Sequence, residues 1–159
     1  MNREVWKRQM RWDNRYLSLA RLVATWSKDP STKVGAVLVR ANNSVASTGY
    51  NGFPSGFDDA PSLYADRAYK YKHVVHAEIN ALSFCGNGVS SGSTLYTSFP
   101  VCADCMEAAG KAGVTRVVQP PLPTSGRNLA WITEWTKNME FAAKVAKIWN
   151  ITVETSDVI

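Results

Sequence analysis

His76-Ala77-Glu78 is followed further along the chain by Cys102-Ala103-Asp104-Cys105, so one imidazole, one carboxylate and two thiols stand in two short runs. One nitrogen and two sulfurs supply three of the four places around a tetrahedral zinc. Water then takes the fourth, which separates a catalytic zinc from a structural one whose places are all filled by protein. Zinc strips the proton from a coordinating thiol, so Cys102 and Cys105 are expected as thiolates that, with a neutral His76, balance Zn2+. Two electron-rich thiolates make bound water less acidic than three imidazoles would, and a neighbouring base becomes necessary. Glu78 fits that task, acting first as base and then as acid.

A C-x-x-C run alone also fits redox or structural zinc sites, and a single buried histidine is often an ordinary core residue. The combination with Glu78 narrows the chemistry, since a structural zinc has no use for a proton carrier. Cys85 and His73 are the remaining residues of metal-ligand type, read here as a small buried apolar residue and as a structural or surface residue. Cys102 and Cys105 lie three apart, as neighbours on one helical face, and the helix formers after them end at Gly113. A helix start favours thiolates there. His76 and Glu78 are two apart and would diverge in mid-helix, which places them on the first turn of a helix from His76 to Phe84.

The elements that must hold these residues alternate between helix and strand. Asp13 or Asn14 is expected to cap a helix running to Trp26, ended by Asp29-Pro30. Residues 34–39 read as a buried strand and 45–50 as its hairpin partner, followed by an irregular loop. Residues 63–75 read as partly helical, leading to the histidine. Strands at 93–98 and 114–118 flank the cysteine helix; residues 120–126 form a loop, 131–149 a helix and 151–154 a last strand.

With 159 residues, 45% apolar and 19% charged, the chain is expected to form a single domain over 1–159. It contains no apolar run of membrane-spanning length, and residues 1–12 lack the apolar core of a signal peptide. A cytoplasmic enzyme without a membrane partner is therefore expected, and with three cysteines, two of them assigned to metal, no disulfide framework. Arg3, Lys7, Arg8, Arg11 and Arg15, interleaved with Trp6 and Trp12, resemble a nucleic-acid surface in composition. A solvated helix face with aromatic packing is the preferred reading, so no nucleic-acid polymer is expected as partner.

Three ordered motifs carry a resemblance. Ser27 to Ala36 (SKDPSTKVGA), Gly49 to Pro54 (GYNGFP) and His76 to Leu82 (HAEINAL) follow the order of the deoxycytidylate (dCMP) deaminase family, which the chain resembles from Arg15 to Val118. The resemblance implies the cytidine-deaminase α/β fold, a central five-stranded mixed sheet with helices on both faces in three layers. It implies hydrolysis of dCMP to dUMP and ammonia, feeding dTMP synthesis, with catalytic Zn2+ on His76, Cys102 and Cys105 and Glu78 as proton shuttle. It further implies a homohexamer activated by dCTP with Mg2+ and inhibited by dTTP, the effectors binding along Gly49, Tyr50, Asn51, Gly52, Phe53 and Pro54.

Asn51 matches the loop asparagine that contacts sugar or base in related deaminases. For the phosphates, Ser27, Lys28, Thr32 and Lys33 offer hydroxyls and cations on the substrate side, and Arg67, Lys70 and Lys72 offer alternatives that also suit an effector triphosphate. Two stretches depart from the family pattern. Val101 stands where proline usually precedes the first cysteine, and Gln119 to Trp131 does not match the expected wall of the base pocket. Trp131 and Trp135 are candidates for that wall, with helix-to-core packing as the alternative. Competing functions are a zinc deaminase of cytosine, cytidine or tRNA adenosine, and a zinc-stabilised nucleic-acid-binding module.

Overall fold

The first strand, β1 (Gly35–Val39), is buried along its whole length, because alternate side chains enter two different cores. Ala36 and Leu38 face one side of the sheet, where α4 (Ala77–Cys85), α5 (Ala103–Ala112) and α6 (Leu129–Ile148) close over them. Val37 and Val39 face the other side and meet Tyr16, Leu17 and Ala20 of α1 (Arg3–Ala24). Helices therefore cover both faces.

The remaining strands are β2 (Val45–Tyr50), β3 (Ser93–Thr97), β4 (Val114–Gln119) and β5 (Thr152–Thr155), in the sheet order β2-β1-β3-β4-β5. β1 runs antiparallel to β2 and β3, whereas β3, β4 and β5 are mutually parallel, so the sheet is mixed and five-stranded, as expected. The computed structural model describes residues 2–88 and 91–156. Of the expected domain span, residues 1, 89, 90 and 157–159 lie outside the described residues.

The first helix begins well before the expected cap at Asp13 or Asn14. Asn2 caps it, its Oδ1 accepting from the Glu4 amide at 3.1 Å. Residues 3–11 are all exposed and leave no apolar stripe from which to read their helicity. Asp13 sits mid-helix with its carboxylate directed at Arg116 and Tyr96 rather than at a helix end. The last helix likewise starts two residues early, because Asn128 caps it through the Trp131 amide at 2.9 Å.

Two close approaches seat α1 and the site helix α4 on the sheet. A Cβ on Gly35 would lie 2.1 Å from the Ala20 carbonyl oxygen of α1, and one on Gly49 would lie 2.3 Å from that of Ala77 in α4. Only glycine lets those helix backbones rest directly on the sheet. Between β2 and α4 the chain forms α2 (Pro61–Ala65) and α3 (Arg67–His73), tied back by the paired backbones of Gly52 and Val75. Phe53, Phe57, Tyr64, Tyr69 and His73 pack ring against ring beneath these helices, with centroids 4.5 Å apart for Phe53 and Tyr64.

Candidate active site

His76 is the N-cap of α4 and Cys102 the N-cap of α5, and neither side chain makes a capping hydrogen bond. Both side chains turn toward each other instead. His76 Nδ1 lies 3.6 Å from Cys102 Sγ and 3.3 Å from Cys105 Sγ, and the three ligand atoms all lie within 4.8 Å of one another. Tetrahedral zinc with bonds of about 2.3 Å to sulfur and about 2.05 Å to nitrogen requires nitrogen–sulfur separations of about 3.6 Å. These residues fit the ion.

The three ligand side chains share protons with one another. A hydrogen bond from the Cys105 thiol pulls Cys102 down to about 4 against the effect of burial, with His76 assisting, and the same pairing pushes the Cys105 thiol up. His76 is raised to about 9 by its hydrogen bond with Cys102, again against burial. A metal ion replaces these shared protons when it binds, so binding is coupled to their release. Glu78, on the first turn of α4, is 4% exposed, and its Oε2 lies 3.8 Å from Cys105 Sγ. Burial lifts its pKa to about 7, where a carboxyl group gives and takes a proton with equal ease.

The SKDPST stretch wraps around a second carboxylate. Asp29 Oδ1 accepts from the amides of Ser31 at 2.8 Å and Thr32 at 3.2 Å, and Lys70 of α3 reaches its Oδ2 at 2.8 Å in a buried ion pair. Asn51 stands beside it, its Oδ1 taking the Val34 amide at 2.8 Å and its Nδ2 donating to the Thr32 carbonyl at 2.9 Å. Ser27 Oγ donates to the Asn51 carbonyl at 2.7 Å. This lattice joins β2 to the loop entering β1.

A cavity of about 590 Å³ opens over His76, Cys102 and Glu78, with Cys105 buried behind them. Thr32, Asn51, Arg67, Lys70, Trp131 and Trp135 line it, so the structure gathers these expected residues with His76, Glu78 and Cys102. The others lie elsewhere. Ser27 is buried in the lattice just described, Lys28 is exposed and paired with Asp59 at 2.6 Å, and Lys33 is exposed outside the cavity wall. Gly49 supports α4, Gly52 and Phe53 belong to the scaffold around α2 and α3, and Pro54 also lies outside the wall. Tyr50 and Lys72 are exposed and not in the cavity wall. His73 is held among aromatic rings, and Cys85 packs against the core.

Arg127 lines the cavity although sequence reasoning missed it. Its guanidinium lies 4.4 Å from the Trp131 ring centroid, and its Nη2 donates to Thr32 Oγ1 at 3.3 Å. A cation four residues before a tryptophan, just ahead of a capping asparagine, is a local signal for that stacking. Phe99 and Trp135 meet edge to face at 4.9 Å and extend the aromatic wall. Lys70 is neutralised by Asp29, whereas Arg67 and Arg127 make no ion pair among the described residues. The cavity thus offers a cation site, a proton carrier, flat apolar walls and two guanidinium groups.

Residues 10–119 match the sequence profile of the cytidine and deoxycytidylate deaminase zinc-binding region. A deaminase of Aliivibrio fischeri is 37% identical over 110 residues, covering 69% of this chain and 73% of its own. The deoxycytidylate deaminase of Mus musculus is 32% identical over 114 residues, covering 69% of this chain and 64% of its own, so this chain spans slightly less than two thirds of that relative. The crystal structure of the cyanophage S-TIM5 dCMP deaminase in complex with dCMP and dUMP superposes with a TM-score of 0.64 at 25% identity, covering 98% of this chain and 99% of that one. Its apo form gives a TM-score of 0.66 at 26% identity. Matched over most of its length, with the histidine, the glutamate and both cysteines inside the match, this chain belongs to the cytidine and deoxycytidylate deaminase family.

Proposed function

We propose that the chain is a zinc-dependent deaminase that hydrolyses dCMP to dUMP and ammonia. The observation that carries this reading is a single cavity joining the His76–Cys102–Cys105 cluster and Glu78 to an aromatic wall and to Arg67 and Arg127. The reading also draws on the phage dCMP deaminase, whose crystal structure holds dCMP and dUMP.

Zinc on the three ligands supplies a Lewis acid that makes water a nucleophile at neutral pH. The chain does the rest. Glu78 takes a proton from the attacking water and delivers it to the ring nitrogen beside the carbon under attack; it then takes the remaining proton of the added hydroxyl, as the carbonyl forms, and passes it to the departing amine. Water and dCMP are thereby converted to dUMP and ammonia with no proton unaccounted for. A buried carboxyl group beside the ligand cluster can carry out both transfers. Trp131, Trp135 and Phe99 offer surfaces for the base. Arg127, held by Trp131 and Thr32, presents a planar fork to the 5′-phosphate, with Arg67 as its companion across the cavity. Asn51 lines the substrate space, while its amide holds the Thr32–Val34 backbone.

The finer part of the proposal is regulation. A homohexamer activated by dCTP with Mg2+ and inhibited by dTTP follows from the resemblance over Gly49 to Pro54, and exposed Tyr50 and Lys72 provide accessible aromatic and cationic groups near that loop. Each effector must favour one state of the assembly over the other. A sigmoidal dCMP response made hyperbolic by dCTP and suppressed by dTTP supports this part; a hyperbolic response unmoved by either overturns it alone.

Ammonia release from equal concentrations of dCMP, dCTP, deoxycytidine and cytosine tests the substrate. Turnover of dCMP should exceed that of the other three by at least about tenfold, the discrimination expected when a charged hydrogen-bond partner is missing or crowded. Preference for free cytosine or deoxycytidine overturns the monophosphate reading and leaves the deaminase family untouched.

A further inference from the structure

Two backbone amides close to Cys102, those of Val101 and Ala103, are held by side chains from distant parts of the chain. The Val101 amide donates to Gln119 Oε1 at 2.9 Å, and the Ala103 amide donates to Asn138 Oδ1 at 3.0 Å. Gln119 ends β4 and is buried, and Val101 is only 1% exposed, so this first bond lies inside the protein. Asn138 reaches over from α6, on the exposed side of the same turn.

A helix normally satisfies an early amide with the side chain of its own N-cap. Cys102 is that cap for α5 and makes no such bond, because its sulfur is turned toward His76. Asn138 satisfies a different free amide, that of Ala103 at the first helical position, from another helix. Holding the backbone one peptide before Cys102 and directly after it restricts the direction in which its Cα–Cβ bond points toward His76. Ligands fixed in this way bind metal more tightly, because less order is created on binding.

We propose that Gln119 and Asn138 are positioning residues of the metal site, which set the direction of Cys102 and thereby zinc affinity. The inference rests on the zinc reading of His76, Cys102 and Cys105. Asn138 lies beyond the family-matched region, and Gln119, its last residue, stands outside the His76–Glu78 and Cys102–Cys105 runs. Both residues act through an oxygen alone. A carboxylate at position 138 would serve equally, since the positive end of α5 favours negative charge.

The test is zinc affinity, measured by competition with a chromophoric chelator on the full chain well below its melting temperature. Asn138→Leu and Gln119→Met should each weaken zinc binding by roughly tenfold to a hundredfold, the usual cost of losing a group that orients a ligand. Asn138→Asp should stay within about threefold of the unmodified chain, as retention of the acceptor oxygen requires. Tyr96→Phe perturbs the buried network on the opposite face of the sheet and should lower the melting temperature without moving zinc affinity. Unchanged affinity in both Asn138→Leu and Gln119→Met overturns the proposal, as does equal weakening in Asn138→Asp and Asn138→Leu. If Gln119→Met does not accumulate as folded protein, the two Asn138 variants decide. An unmodified chain that takes up no zinc overturns the metal reading itself, a result separate from all of these.

Discussion

Cys105 shows how little sequence is needed to specify a reactive centre. It sits on the first turn of α5 with its sulfur 3.3 Å from the His76 ring, as the three-residue spacing from Cys102 requires of a helix start. Replacing it with alanine should lower zinc content well below one per chain, measured by elemental analysis, because two remaining ligands hold the ion poorly. Full zinc content in Cys105→Ala would remove this residue from the ligand set. Arg127 is the opposite case. It joins Thr32 across 95 residues of sequence, and no local periodicity announces a partner so far away. Arg127→Gln should raise the KM for dCMP roughly tenfold to a hundredfold with a smaller change in kcat, as loss of a charged contact present before and during reaction predicts. An unchanged KM would assign Arg127 to packing on Trp131.

The two site helices were legible from their motifs, and α5 also from its end at Gly113, but the seat of α4 on the sheet was not. Gly49 belongs to a stretch that also reads as a nucleotide-binding loop, and only the three-dimensional contact shows it beneath Ala77 and Ala81. Gly49→Ala drives a methyl group into the α4 backbone at 2.3 Å and should cost about 1–3 kcal/mol in urea unfolding, the range for overpacked cores. Zinc affinity should fall with it, since α4 carries His76. Wild-type stability and affinity together would show that α4 moves aside freely. The first half of α1 escaped sequence reasoning for another reason: its residues 3–11 bury nothing, so no apolar rhythm marks them.

Across the molecule, the sheet separates a reactive face from a face built on charge. On the latter, Arg116 grips Asp13 with two bonds of 2.8 Å and also holds Glu154 of β5, while Tyr96 donates to Asp13 at 2.7 Å. Burial alone would raise the Asp13 pKa, but the hydrogen bonds from Arg116, Tyr96 and Gln9 outweigh it and hold the carboxyl below its ordinary 3.8. A depressed pKa stabilises the fold above the unfolded value and loses that effect as pH falls through the folded value. Asp13→Asn should therefore be less stable than the unmodified chain at pH 7, by up to about 3 kcal/mol for a disrupted buried pair. The difference should shrink as the pH is lowered below about 4, the region set by the ordinary carboxyl pKa. A stability gap that is constant from pH 7 to pH 3 would show that Asp13 contributes shape and not charge. The mixed five-stranded sheet was implied by the motif resemblance, whereas this network was not legible, because its members come from α1, β3, β4 and β5. The chemistry proposed for the reactive face rests on one proton carrier beside one metal. The most direct measurement is dUMP formation from dCMP by the zinc-loaded chain and by its Glu78→Gln variant, with zinc content determined on the same samples. The predicted result is one zinc per chain in both, and turnover at least about a hundredfold lower in the variant. Near-normal dUMP formation by zinc-loaded Glu78→Gln would contradict the account.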